Sequence, residues 1–361
     1  MMSRVDPLPS RSPDPAEDSP VERDLAARPE GARAVFLQDW WQAAASEGRP
    51  FFDVEAKLGG RRAGWLRYVV HRNKIGARLG IAPFWTHLGG PVLADGLSPE
   101  DQRKAVAEIA RQLPRTVSFR FMCDPSTPYA GLVREEFEKV GFECEQHPNY
   151  LQYPDDVGVL ERMKGRHRTQ IKAAMKKTDV EDGSPDEFIA FYERNLETRA
   201  HSPLPIAHRL LRAGVAAGQV RIFFACNRAG AEGLDRIDAA IACAWDGQRY
   251  YYWLSRRRSE RAETPHLPPP NREATKILVL AAIDHARELG LVFDADSPET
   301  IGGRTLFSVL FGFQRIEYRD VLVRRTALTR LYDSAIPSLK RLIKTVHPNS
   351  TLYTPDIERP R

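Results

Sequence analysis

No stretch of this sequence approaches the ~18 consecutive apolar residues that a membrane-spanning helix needs, and its first residues lack the apolar h-region of a secretory signal. The expected setting is therefore the cytoplasm. Cysteine is scarce: Cys123, Cys144, Cys226 and Cys243 are the only four, and none stands in a C-x-x-C spacing. That argues against a disulfide framework and a thiolate zinc site, and buried free thiols are the expectation. His201 and His208 have no metal-ligand spacing with other histidines or cysteines, so no metal is expected. Charge of one sign is modest as well. A formal net charge of +5 over 361 residues suits an anionic ligand without selecting one.

What the sequence does have is enough apolar material for a full core, 42% of residues, on a chain whose length is nearer two ordinary domains than one. Residues 1–31 are dense in proline and charge and read as a disordered leader. Order is expected from Ala32, with an amphipathic helix carrying Val35, Phe36, Trp40, Trp41 and Ala44. FFDVEAKL (51–58), a Gly59-Gly60 link and RRAGWLRYVV (61–70) predict a β-hairpin, because two glycines tolerate the positive φ of a tight turn. An extended stretch through Ile81, a helix over 99–113, a strand over 116–123, a helix over 132–140 and an extended segment ending near Tyr153 follow.

The second half repeats that order at greater length. Helices over 159–177, 185–200 and 205–217 precede three strands, at 219–226, 236–245 and 248–254. A helix over 271–289, a strand over 291–296, a helix over 302–310 and a strand over 315–323 complete it. FEKVGFECEQHPNY (137–150) and SVLFGFQRIEYRDV (308–321) each end a helix at Gly-Phe and then enter a strand, a short internal echo of duplication. The tail, residues 327–361, offers one more amphipathic helix. The division expected is 32–153 and 154–326, each a mixed α/β sheet flanked by helices.

Several strings along residues 33–325 together resemble the FemAB-related, GNAT-type N-acyltransferases, including the BioF2-like members. FLQDWWQAA (36–44) and IAPFWTHLGGPVL (81–93) are similar to the family's Trp-containing opening helix and its Pro-aromatic stretch leading to Leu-Gly-Pro. MKGRHRTQIKAAMKK (163–177) resembles the basic helix that opens its second domain, and PNREATKILVLAAIDHARELGLVFDADSP (270–298) its Asn-led helix followed by an acidic strand end. GGRTLFSVLFGF (302–313) resembles its closing Phe-x-x-x-F-G-F helix. The resemblance implies tandem GNAT-like domains and transfer of an acyl group to a primary amine of a small molecule or peptide. Two departures stand out. Asp-Ala-Asp-Ser (294–297) replaces the Asp-Phe with nearby Gly of many relatives, and no coiled-coil insertion marks the aminoacyl-tRNA users. The second favours acyl-CoA as donor over aminoacyl-tRNA.

Such a reaction needs a held donor, an amine that loses its proton and a polar group facing the oxyanion. Asn271 and Arg272, at the expected start of the 271–289 helix, are the candidates for donor phosphates, although HLPPP (266–270) lacks a glycine-rich loop. In YYYW (250–253) strand alternation puts Tyr250 and Tyr252 on one face and Tyr251 and Trp253 on the other. Tyr252 is the candidate acid for the leaving thiolate, with Tyr250 and Trp253 lining the acceptor cleft. Asp294 and Asp296 share a face at a strand's C-terminal end and are candidates to take the amine proton or hold a cation. Arg166, Arg168 and Lys172 form a basic helix face suited to phosphate. The rival reading is a GNAT-like binding protein without chemistry.

Overall fold

The computed structural model describes residues 33–48, 50–72, 77–196, 203–228, 232–259, 269–296, 307 and 310–331. The leader, nearly all of the helix expected over 302–310 and the tail beyond 331 lie outside the described residues. A 3-10 turn, Val35–Leu37, leads into α1 (Asp39–Ser46). The hairpin follows as β1 (Phe52–Leu58) and β2 (Arg61–Arg72), joined at Gly59 and Gly60 with φ of 55° and 78°. Two central residues with positive φ make the primed turn that matches strand twist. Next come β3 (Arg78–Ile81), β4 (Val92–Leu93), α2 (Pro99–Gln112), β5 (Ser118–Met122), α3 (Ala130–Glu138) and β6 (Glu143–Gln152). In α2 the Ser98 hydroxyl accepts from the Asp101 N–H while Pro99 opens the first turn, so orphan donors and fixed φ are both used.

The second half begins with α4 (Val159–Arg162), α5 (Gly165–Met175), β7 (Thr178–Asp182), α6 (Pro185–Arg194) and α7 (Leu204–Ala216). It continues through β8 (Val220–Asn227), β9 (Ile237–Trp245), β10 (Arg249–Arg257), α8 (Ala274–Glu288), β11 (Val292–Asp294) and β12 (Arg315–Arg324). Three expectations need correction. The helix over 159–177 is broken, because Met163 and Lys164 turn extended and Met163 enters the core, before α5 restarts at Gly165. β7 was not anticipated; its TDVED sequence carries too many charges to read as a strand, yet it pairs along β8. The helix expected from Asn271 starts at Ala274, since the Asn271 side chain accepts from the Glu273 N–H and holds a turn there instead.

All the strands join one sheet in the order β1-β2-β3-β5-β12-β6-β11-β10-β9-β8-β7, with β4 beside β2. The doubled architecture is visible in this order. β1, β2, β3, α2, β5 and β6 correspond to β8, β9, β10, α8, β11 and β12: three antiparallel strands, a helix, a strand parallel to the third, and a last strand. The last strands are exchanged. β12 inserts between β5 and β6, and β6 pairs with β11 of the other half. The two segments of the internal echo thus pair with each other, antiparallel, from Val323↔Glu143 to Arg315↔Leu151.

On β9, Ala240, Ala242 and Ala244 face one apolar layer and Ala239, Ile241 and Cys243 another, the period-two alternation of a strand buried on both sides. The first layer contains Phe36, Trp41, Tyr251 and Trp253 with α6 and α7; the second contains α8 with Tyr250 and Phe293. A third lies under α2 and α3. Because α1 packs on α7, the opening helix of the first half is part of the second half's core.

Candidate functional site

The parallel pair β10 and β11 is in register for three positions only, Arg249↔Val292, Tyr250↔Phe293 and Tyr251↔Asp294. There β11 ends, while β10 runs on to Arg257 paired with β9 alone among the described residues. The two strands therefore part beyond Tyr251 and Asp294. A β-bulge sits at the same place: Tyr252 pairs with Cys243 but Leu254 with Ala242, leaving Trp253 as the extra residue. Alternation holds up to it, with Tyr250 and Tyr252 toward α8 and Tyr251 and Trp253 toward the opposite layer. The bulge then puts Leu254 on the same side as Trp253.

Tyr250 is fully buried, stacked on Trp245 at 5.3 Å and hydrogen-bonded through its hydroxyl to His285 Nδ1 at 3.0 Å. It packs behind the gap. Tyr252 lies against Phe307, and burial pushes its hydroxyl well up from the usual tyrosine range. Trp253 is buried and its indole N–H donates to the Trp85 carbonyl at 3.0 Å. The Asn271 amide donates to the Thr178 hydroxyl at 2.9 Å, so the start of α8 sits against the segment leaving α5. Arg272 is exposed. On α5, Arg166 and Lys172 are exposed and Arg168 half-buried, while Ile171 anchors the helix in the core. The structure thus brings Tyr252, Trp253 and the two aspartates to the gap, keeps Tyr250 behind it, and leaves the basic residues on α5 and at the head of α8.

Asp294 and Asp296 are the centre of a buried ionic network. Asp294 accepts from Arg319 at 2.6 Å, from Arg249 at 2.9 Å, from Asn149 at 2.9 Å and from the Asp296 backbone N–H at 2.8 Å. Asp296 accepts from Arg319 at 2.6 Å and pairs with His87 Nδ1. Arg249 also makes a bidentate pair with Glu317 at 2.6 and 2.8 Å. Three carboxylates and two guanidiniums are gathered from β10, β11, β12 and the two residues that follow β11, with His87 as the sixth ionisable member. Burial alone would raise the Asp296 carboxyl, but the charges of His87 and Arg319 outweigh it and hold it down at about 2. Burial would likewise lower Arg249 and Arg319; their carboxylate partners reverse this and keep both charged. Asp296 has a φ of 41°, a left-handed conformation that aspartate tolerates better than most residues and that turns its side chain back onto Arg319.

Sequence reasoning missed His87, Arg249, Glu317, Arg319 and Asn149. The one available signal was Arg315-x-Glu317-x-Arg319, a charged row on alternate positions of the last expected strand. Nothing in the sequence links His87 to a residue 209 positions away. A cavity of about 240 Å³ on the other half, bordered by Cys123, Arg134, Gln146 and Asp320, includes none of these groups. Among the described residues no cluster of side chains is arranged to hold a metal ion, and no helix is long and apolar enough to cross a membrane.

No family model matches the sequence, and no curated protein matches it. Among solved structures the chain is similar to FemX, at 11% identity and a TM-score of 0.48 over 81% of this chain and 92% of that one. It is also similar to the C-terminal domain of a putative lysylphosphatidylglycerol synthetase from Agrobacterium fabrum, at 13% identity and a TM-score of 0.48 over 84% and 91% of the two chains. A tandem GNAT protein from the clavulanic acid biosynthesis pathway aligns at 11% identity and a TM-score of 0.47 over 76% and 82%. The mixed α/β class and the two like halves expected from the sequence are those observed.

Proposed function

We propose that this protein is an N-acyltransferase that moves an acyl group from a CoA thioester to a primary amine of a small molecule or peptide. The observation that carries the reading is the parallel pair β10 and β11, which separates after Tyr251 and Asp294 beside a bulge at Trp253. Parting strands expose backbone groups that a pantetheine arm can pair with, and the gap puts a thioester next to Tyr252. Direct attack of the amine on the thioester carbonyl, within a ternary complex, forms the amide and expels the thiolate. Tyr252 returns a proton to that thiolate in this reading, which its burial supports by keeping the hydroxyl protonated. Arg272 and the start of α8, with Lys172, Arg168 and Arg166 on the adjoining α5, serve the donor's phosphates. Asp296 acts on the amine's side of the gap, and Asp294 holds Arg249 and Arg319 around it. In this reading residues 32–153 and 154–326 are the two repeats, each lending its last strand to the other, and the protein works in the cytoplasm.

A non-catalytic binding role is the second reading. It is favoured by the enclosure of Asp294 and Asp296, whose oxygens are already taken by arginine, asparagine and histidine partners. An aminoacyl-tRNA donor would show instead as a steep loss of binding with salt, from released counterions. Thermal denaturation with acetyl-CoA, longer acyl-CoAs and free CoA separates these. A CoA at ~100 times its Kd should stabilise the fold by about 2.7 kcal/mol, and no stabilisation by any CoA would remove the donor assignment.

A further inference from the structure

We propose that His87 is the base that takes the proton from the attacking amine, with Asp296 as its positioning residue; this rests on the acyltransferase reading above. The loop between β3 and β4, residues 82–91, is tied to both sides of the gap. Its Trp85 carbonyl accepts from the Trp253 indole at the β10 bulge, and its His87 imidazole pairs through Nδ1 with Asp296, two residues beyond the end of β11. The loop is also pinned to each half: Gly89 N–H donates to the Met122 carbonyl at 2.7 Å, and the Trp85 indole donates to the Pro203 carbonyl at 3.0 Å. Trp85 has a φ of 67°, a costly conformation for a bulky residue that these ties over-determine. The first half thereby delivers a histidine to the mouth of the second half's gap.

The imidazole is held at one nitrogen and on one face. Nδ1 is engaged by Asp296, Asp296 is fixed from behind by Arg319, and the ring stacks on Phe36 with centroids 5.5 Å apart and planes 22° from parallel. With Nδ1 committed as a donor to a carboxylate, the neutral ring carries its lone pair on Nε2, at the opposite corner. The side chain is 28% exposed, while that of Asp296 is 2% exposed, so of the two it is the histidine that an amine can reach. Among the described residues nothing hydrogen-bonds Nε2. The charged groups facing the ring are Asp296 from the end of β11 and, behind it, Arg319 from β12 and Asp294 from β11.

The step balances without an added reagent. The amine nitrogen bonds to the thioester carbonyl carbon, its proton passes to His87 Nε2, the carbon–sulfur bond breaks, and Tyr252 gives its hydroxyl proton to the thiolate and is reprotonated from solvent as His87 releases the proton it took. The products are an amide and free CoA, with the histidine neutral again once its proton is released.

The test uses the full chain with acetyl-CoA and a panel of primary amines: an alkyl diamine, a free amino acid and a tripeptide, with thiol release as the signal. His87→Gln should lower kcat by about 100-fold or more, the usual weight of general-base catalysis, and leave the KM for acetyl-CoA within twofold. His87→Ala should regain part of the rate on addition of imidazole, which a structural role would not allow. Asp296→Asn should lower kcat and leave the KM for acetyl-CoA within twofold, because the ring loses the partner that fixes its tautomer and orientation. Wild-type turnover that His87→Gln leaves intact, or an unchanged kcat in Asp296→Asn, overturns the role of His87 alone. A wild type that acetylates none of these amines overturns the acyltransferase reading and this one with it.

Discussion

Replacing Arg319 with methionine probes the network that joins the two halves. The Arg319 side chain is 2% exposed and donates to Asp294 and Asp296, both at 2.6 Å. Its loss leaves two buried carboxylates short of a cation. Removing one partner of a buried ion pair costs about 3–5 kcal/mol, because the remaining charge is left uncompensated. Here Asp294 keeps Arg249 and Asn149, and Asp296 keeps His87, so the lower end, about 3 kcal/mol, is the expected loss. Urea denaturation followed by far-ultraviolet circular dichroism measures it. Adding Asp296→Asn to Arg319→Met should cost less than the two single changes summed, with a coupling of about 1–3 kcal/mol. A loss below about 1 kcal/mol for Arg319→Met, or strict additivity in the double variant, would refute the view that this cluster holds the halves together.

The same network sets an acid limit. The Asp296 carboxyl is held down at about 2, so its contribution is present above the unfolded value near 4 and is lost as pH falls from there through 2. The amount is about 2 kcal/mol at about 1.4 kcal/mol per pH unit. Asp296→Asn should flatten the fall in melting temperature over that window, and a parent-like acid slope would count against the assignment. On the first half, a Cβ on Gly80 would meet the Phe119 ring at 2.3 Å, and that ring lies in the packed third core. Gly80→Ala should destabilise by about 1–3 kcal/mol through overpacking, read from the thermal midpoint; an unchanged midpoint would mean that the ring can yield.

The local elements were legible where periodicity and turn chemistry agree. The Gly59-Gly60 hairpin, the α2 stripe of Ala105 and Ile109, and the alternation of Tyr250 to Trp253 all follow from side-chain spacing along a single element. The Gly-Phe echo at Gly141 and Gly312 marked the duplication, and both glycines do take positive φ, at 87° and 63°. That the two echoed strands would pair with each other was not legible, because a period-two pattern fixes which face is buried and not which strand lies alongside. The bulge at Trp253 leaves no trace in composition. The ionic network was half readable: Asp294 and Asp296 stand out as acids at a strand end, but their partners come from β6, β10, β12 and a loop of the other half. Charges that neutralise one another across 23 to 209 positions look, in sequence, like ordinary surface residues.

The account stands most directly on whether a CoA thioester occupies the gap between β10 and β11. Ser255 is exposed on β10 beyond the bulge and interacts with the Tyr252 hydroxyl, so a bulky side chain there would fill the gap without entering the core. Calorimetric titration of the parent chain with acetyl-CoA should give one site per chain, and Ser255→Trp should abolish it while keeping the parent's melting temperature. Absence of binding in the parent, or undiminished binding in Ser255→Trp, would contradict the account.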